Sequence, residues 1–218
     1  MTSLFSALDA APIVLTPGMV LLPGWSVRHR LDEALINEAR HVMAAAPPRR
    51  MTTPGGQKMS AALTNCGPLG WVSDRAGYRY EPTDPLTGRP WPAMPATFMD
   101  LASRAAAEAG FDGFAPEACL INLYHPGSRM GAHRDQDEAA PDQPIVSVSL
   151  GVDAVFRVGG LARGGPTRSV RLVHGDIVVF GGPARFVYHG IDRLGPEPHP
   201  ILGPERINLT FRRVTPAH

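Results

Sequence analysis

Two hydrophobic periodicities divide the chain. From Ala118 onward apolar residues recur at every second position, in short runs broken by Gly and Pro. These runs are Ala118–Tyr124, Ile145–Gly151, Ala154–Val158, Arg168–Val173, Ile177–Phe180, Phe186–His189 and Arg206–Val214. Each predicts a strand with one face turned to a core. Upstream, Leu31, Leu35, Ala39 and Val42 fall on one helical face, widened by Ile36 and Met43. This predicts a helix over 31–46 that Pro47-Pro48 stops. A second helix is expected to start near Thr97, where Thr97-x-x-Asp100 has the form of a capping box. It continues through Phe98, Leu101 and Ala105 to Gly110. Ile13–Leu15 and Met19–Leu22 read as short strands around Pro17-Gly18.

Many short strands with Gly/Pro turns, accompanied by two helices, indicate an α+β, mainly β chain. The expected architecture is an antiparallel sandwich or jelly roll with the helices outside one sheet. One domain over 1–218 is the simplest partition, with the core at about 118–214. The stretch at about 51–95 stands apart: it is rich in turn residues yet holds Trp71, Tyr78, Tyr80 and Trp91. It is too polar for core and too aromatic for a linker, so it is expected to form a binding lid.

Composition changes this picture little. A hydrophobic fraction of 44% supports a core, and 23 Gly with 23 Pro fit the turns. No apolar run reaches membrane-spanning length, and Met1–Thr16 does not read as a signal peptide, so no membrane role is expected. Cys66 and Cys119 form no disulfide framework, which points to a cytoplasmic protein. A net charge of +1 excludes a global basic field, but residues 151–218 carry nine cations against five anions.

The sharpest chemical feature is His133-Arg134-Asp135. On an extended chain the imidazole and carboxylate point to one side while Arg134 points away. His189 ends the strand-like run Phe186-Val187-Tyr188-His189 and could supply a third ligand. Two His and one carboxylate leave coordination positions open, the facial triad of non-haem iron oxygenases. The other six histidines (His29, His41, His125, His174, His199 and His218) lack such a pattern and read as structural or solvated. In the last run Ile207, Leu209 and Phe211 share one face, and Arg206, Asn208, Thr210 and Arg212 the other. An ordinary half-exposed strand would alternate in this way. Turned inward, the same face would offer two guanidinium forks to a dicarboxylate. Leu120, Asn122 and Tyr124 likewise share a face.

At these residues the chain resembles the AlkB family of iron(II)/2-oxoglutarate dioxygenases. Met51-Thr-Thr-Pro-Gly-Gly-Gln-Lys-Met-Ser-Ala-Ala-Leu-Thr-Asn-Cys-Gly-Pro-Leu-Gly-Trp71, Ala118–Tyr124, His133–Glu138, Pro144–Gly151 and Arg206–Arg212 carry the likeness, which spans about 15–213. The resemblance implies a double-stranded β-helix (jelly roll) core, flanking N-terminal helices and a nucleotide-recognition lid. Fe(II) would be held by His133, Asp135 and His189. The co-substrate 2-oxoglutarate would be bound by Asn122, Leu123, Tyr124, Arg206, Asn208, Thr210 and Arg212. Arg206 would take its distal carboxylate, and Arg212 its metal-proximal end. Trp71 would stack on the base, and Tyr78, Arg79 and Tyr80 would contact the strand backbone. Arg163 would lie near the substrate, and Asp137 would touch the exocyclic amine.

The implied activity is oxidative demethylation of 1-methyladenine and 3-methylcytosine, in single- or double-stranded DNA or in RNA. It would consume dioxygen and release formaldehyde, succinate and carbon dioxide, with the protein acting as a monomer. A 2-oxoglutarate-dependent hydroxylase of a protein or small molecule, or a metal-stabilised binding module for damaged DNA, are the alternatives. Departures from the family pattern, at Phe180, Arg134 and Met130-Gly131-Ala132, leave the lesion preference open.

Overall fold

A computed structural model describes residues 10–216, so His218 lies outside the described residues. The elements in chain order are β1 (Ile13–Thr16), β2 (Met19–Leu22), α1 (Trp25–Arg28), α2 (Asp32–Ala45), β3 (Ala62–Cys66), β4 (Gly70–Asp74), β5 (Gly77–Glu81) and α3 (Ala96–Glu108). They continue with β6 (Ala118–Tyr124), β7 (Met130–His133), β8 (Ile145–Gly151), β9 (Ala154–Val158), β10 (Arg168–Leu172), β11 (Ile177–Phe180), β12 (His189–Leu194) and β13 (Arg206–Arg212).

Strands β1-β2-β11-β8-β13-β6-β3 form a seven-stranded sheet, β10-β9-β12-β7 a four-stranded one, and β4-β5 a separate hairpin. All pairings are antiparallel among the described residues, which gives the jelly roll expected from the alternation.

Alternation assigns each face of the large sheet. Ile207, Leu209 and Phe211 of β13 join Cys119 and Ile121 of β6 and Val146, Val148 and Leu150 of β8. Against them pack Leu35, Ile36, Ala39 and Val42 of α2 and Phe98, Leu101, Ala102 and Ala105 of α3. Phe98 meets Phe211 edge-on, with ring centroids 5.7 Å apart. Burying each such side chain contributes about 1.5–3 kcal/mol, so this layer anchors the sheet and fixes which face of β13 turns inward. Between the sheets a second cluster, including Tyr124, Ile145, Phe156, Val158, Leu172 and Phe180, fills one end. The remaining space is a cavity of about 1110 Å³.

Several expectations need correction. The capping box does not form: α3 starts at Ala96 after Pro95, and the Thr97 hydroxyl donates to Glu38 instead, at 3.0 Å. The segment 51–95 is not wholly apart from the core. Its β3 is buried throughout and pairs with β6, while Met51, Leu63, Val72 and Trp91 close on Leu120 as a third cluster. The strand expected over Phe186–His189 begins at His189 instead, preceded by a single 3-10 turn at Gly182–Ala184. β7 and the one-turn α1 have no counterpart in the sequence reading.

Candidate active site

Three backbone placements assemble the centre. β7 and β12 are antiparallel neighbours in which His133 and His189 are directly opposed, so their imidazoles lie side by side with centroids 4.5 Å apart. Asp135 follows β7 by two residues, beyond the last paired position. Its carboxylate reaches 3.8 Å from His133 Nε2 and 3.9 Å from His189 Nε2. The three donor atoms all lie within 4.8 Å of one another. Each imidazole donates its Nδ1–H to the carbonyl two residues earlier, His133 to Gly131 and His189 to Val187, both at 3.0 Å. Those bonds fix the tautomer and leave both Nε2 lone pairs aimed at one point, the arrangement a divalent metal needs.

Glycine makes this approach possible. A Cβ on Gly190 would sit 2.5 Å from the Met130 carbonyl oxygen and 2.9 Å from that of Gly131. Any side chain there would push β7 from β12. Phe156 and Phe180 pack their rings toward His189 and exclude water from its far side.

Charge is balanced around Asp135. Burial alone would raise its carboxyl, but the Arg212 guanidinium, then His189 and His133, hold it well below the usual carboxylate range. Arg212 Nη2 lies 3.1 Å from Asp135 Oδ2. Burial, then the neighbouring His133, pushes the His189 imidazole down to about 4, so it is a neutral ligand at physiological pH.

The polar face of β13 does point inward. Arg206, Asn208, Thr210 and Arg212 are all buried and line the cavity, beside Asn122 and Tyr124 of β6. Register places Arg206 opposite Tyr124, and Asn208 opposite Asn122, whose amide donates to Asn208 Oδ1 at 3.2 Å. Arg206 is wholly enclosed; it donates to Ser149 Oγ at 2.8 Å and to the Val152 carbonyl at 3.4 Å, and no carboxylate pairs with it among the described residues. Arg206 Nε, Arg212 Nη1 and Asn122 Oδ1 are buried without a hydrogen-bond partner. Orphaned buried donors are costly in a finished fold, so these guanidiniums fit an anionic ligand that would satisfy them. With two imidazoles and a carboxylate as donors, the residues fit iron(II) together with a bidentate dicarboxylic oxo acid.

Other expected residues are placed differently from one another. Trp71 stacks on Tyr78 with centroids 5.4 Å apart at 16°, and its indole N–H donates to Asp137 at 2.8 Å, at the cavity mouth. Arg163 is exposed on the rim, over the Tyr188 ring at 5.3 Å. Three placements depart from expectation. The Leu123 side chain sits on the opposite sheet face against the helix-side core and does not line the cavity. Arg79 is tied to Asp74 at 3.0 Å and to Glu81 at 2.7 Å, so its charge is already matched. The Tyr80 hydroxyl is turned inward, where it donates to the Glu138 carboxylate.

Sequence reasoning assigned no role to Glu138 or Arg185, which are both buried and paired, Arg185 also donating to the Asp135 carbonyl. Of the histidines set aside, His29 stacks on Trp25, while His174 bonds Asp32 at 3.2 Å and lies tilted against His199 with ring centroids 4.3 Å apart. His125 pairs with Glu205, and His41 is exposed.

Residues 18–212 match the family model of the 2OG-Fe(II) oxygenase superfamily. The chain is 50% identical over 199 residues to the alpha-ketoglutarate-dependent dioxygenase AlkB of Salmonella typhimurium, covering 91% of each chain. It belongs to the AlkB family of that superfamily. The AlkB of Escherichia coli is 47% identical over 213 residues, 98% of each chain. The solved structure of OsALKBH1 superposes with a TM-score of 0.79 at 28% identity, over 93% of this chain and 99% of that one. As an AlkB-family member the chain is an iron(II)/2-oxoglutarate-dependent dioxygenase, and His133, Asp135 and His189 form the one group of metal-ligand geometry among the described residues.

Proposed function

We propose that this chain oxidatively demethylates N-alkylated nucleobases in nucleic acid, with 1-methyladenine and 3-methylcytosine in DNA as preferred substrates. The observation that carries the reading is the Trp71–Tyr78 stack at the mouth of the cavity that holds the triad, with the Asp137 carboxylate held against the Trp71 indole. A flat aromatic pair offers a stacking surface to any base, and a neighbouring carboxylate favours one carrying positive charge. Methylation at the Watson–Crick ring nitrogen makes adenine and cytosine cationic, but leaves guanine and thymine neutral. The base has to leave its stack to reach this depth, and single-stranded or damaged sites pay least for doing so.

The placement of the chain's residues supports the following roles. His133, Asp135 and His189 would hold iron(II), which supplies activation of dioxygen at the expense of 2-oxoglutarate when bound. Arg206, with Tyr124 beside it, would take the distal carboxylate of the co-substrate, and Arg212 and Asn122 the metal-proximal end. The β4–β5 hairpin would act as the lid that orients the base and excludes water. Arg163 and Arg134, both over the Tyr188 ring and neither carrying a carboxylate partner among the described residues, would meet the phosphate backbone at the rim. The protein would act as a cytoplasmic monomer; among the described residues no helix is long and apolar enough to cross a membrane.

A panel of oligonucleotides carrying single methylated bases, with formaldehyde as readout, tests the reading. Release from 1-methyladenine and 3-methylcytosine above release from 3-methylthymine is expected. Release from none of them, while 2-oxoglutarate is still consumed, would point to a hydroxylase of another substrate class.

A further inference from the structure

Glu138 stands outside the group of three metal-ligand residues, yet it is buried, accepts hydrogen bonds from two elements and is ion-paired to a third. Arg185 Nη2 donates to its Oε2 at 2.8 Å, Arg212 Nε lies 3.3 Å from its Oε1, and the Tyr80 hydroxyl donates to the same Oε1. Arg185 is itself enclosed. It also donates to the Asp135 carbonyl at 2.6 Å and to the Gln143 carbonyl at 3.1 Å. Two carboxylates and two guanidiniums thus alternate through the interior as Arg185, Glu138, Arg212 and Asp135, with opposite charges in contact at each step.

The hairpin enters this chain of contacts from outside. Trp71 and Tyr80 are directly opposed on β4 and β5, so their side chains leave the same face of one rung. Trp71 donates to Asp137 and Tyr80 to Glu138, consecutive residues of the loop that runs on from Asp135. The surface on which the base would stack is therefore tied at two points to the segment that positions a metal ligand.

We infer that Glu138 is a positioning residue, and that its bond to Tyr80 is the latch through which the seating of the hairpin is passed to Arg212 and Asp135. With the hairpin closed, Glu138 holds Arg212 at its Nε edge. Arg212 Nη1 is then free to face the co-substrate, and Nη2 to face Asp135. With the hairpin lifted, Glu138 loses one of its donors, and Arg212 is held less firmly against the metal-proximal end. The consequence is coupling: co-substrate is consumed productively when the hairpin is seated on a base. This rests on the proposed role of the hairpin as the base-recognition lid.

Tyr80→Phe removes the hydroxyl and keeps the ring, and the iron- and 2-oxoglutarate-loaded protein kept anaerobic gives a readout separate from turnover. Expected are faster amide exchange across residues 70–81 before any substrate is added, and a several-fold higher ratio of succinate to formaldehyde once oligonucleotide and dioxygen are supplied. Glu138→Gln should act in the same direction. Should that variant fail to fold, because Arg185 and Arg212 lose their counter-charge, Tyr80→Phe decides alone. Wild-type exchange with a wild-type ratio overturns the latch. A raised KM for oligonucleotide with both readouts unchanged also overturns it, because Tyr80 would then be a substrate contact and nothing more. If wild-type protein releases no formaldehyde from any alkylated oligonucleotide, the functional reading fails by itself. The latch is then judged by exchange in the hairpin and by substrate-free succinate formation.

Discussion

Replacing Arg206 by Met separates binding from architecture. The guanidinium is wholly enclosed, has one short bond to Ser149 and a long one to the Val152 carbonyl, and leaves Nε without a partner. Burial lowers its pKa, opposed by Tyr124 and then by Asp176 and Asp153, none of which is ion-paired with it. In the ligand-free protein such a cation costs desolvation that its contacts do not fully offset, so an apolar side chain of similar length should be neutral or stabilising. In the loaded protein the same guanidinium would make a charge-assisted contact with a carboxylate. Hydrogen bonds of that class contribute about 1.5–3 kcal/mol, which corresponds to a rise of roughly 10- to 150-fold in the 2-oxoglutarate KM. Thermal melts of the metal-loaded protein with and without 2-oxoglutarate, beside KM measurements, provide the assay. Arg206→Met should melt at or above the wild-type temperature without co-substrate and lose most of the stabilisation that co-substrate confers. A large destabilisation without ligand, or an unchanged KM, would show that Arg206 serves the fold instead.

Gly190→Ala should destabilise by about 1–3 kcal/mol, because the new methyl meets two backbone carbonyls of β7; denaturant melts check this, and a parallel loss of metal affinity is expected as His133 moves from His189. Metal-free protein should lose stability as pH falls. The His189 pKa is about 4 in the fold against about 6.5 unfolded, so the unfolded chain binds the extra proton first. The penalty is absent above about pH 6.5 and grows to roughly 3 kcal/mol by pH 4; a flat profile between those limits in a His189→Gln comparison would refute it. Asp137→Asn keeps an acceptor for the Trp71 indole and removes the charge. Its kcat/KM on 3-methylcytosine oligonucleotides should fall more than on 3-methylthymine, and an equal fall on both would remove Asp137 from lesion recognition.

What the sequence made legible follows from where single rules acted alone. Along β13 and β6 successive residues separate by parity, so Arg206, Asn208, Thr210 and Arg212 could be grouped on one face, and Asn122 with Tyr124 on another; Leu123, named through the resemblance alone, has its side chain on the opposite sheet face. α2 was legible from its apolar stripe and the prolines after it. β3 was not, because Thr64 and Asn65 are polar but satisfied internally: Thr64 donates to the Ala46 carbonyl, and Asn65 bonds the Trp71 backbone at both ends of its amide. β7, four residues long and half exposed, carries no alternation to detect. Thr97 lies within α3, where its hydroxyl found Glu38 on a neighbouring helix before any backbone amide. Glu138 and Arg185, 47 positions apart, meet only through tertiary folding, and neither carried a local pattern. The triad was legible by contrast because His133 and Asp135 are two residues apart and His189 was the histidine adjoining a strand-like run, although the strand itself starts at His189.

The most direct test of the centre is the stoichiometry of one turnover series on a 3-methylcytosine oligonucleotide, measured for wild-type protein and for Asp135→Ala. Wild-type protein supplied with iron(II), 2-oxoglutarate and dioxygen should release formaldehyde and succinate in equal amounts, and Asp135→Ala, lacking one of three protein ligands, should release neither under limiting iron. Formaldehyde release by Asp135→Ala at the wild-type rate would contradict the assignment of His133, Asp135 and His189 as the metal centre.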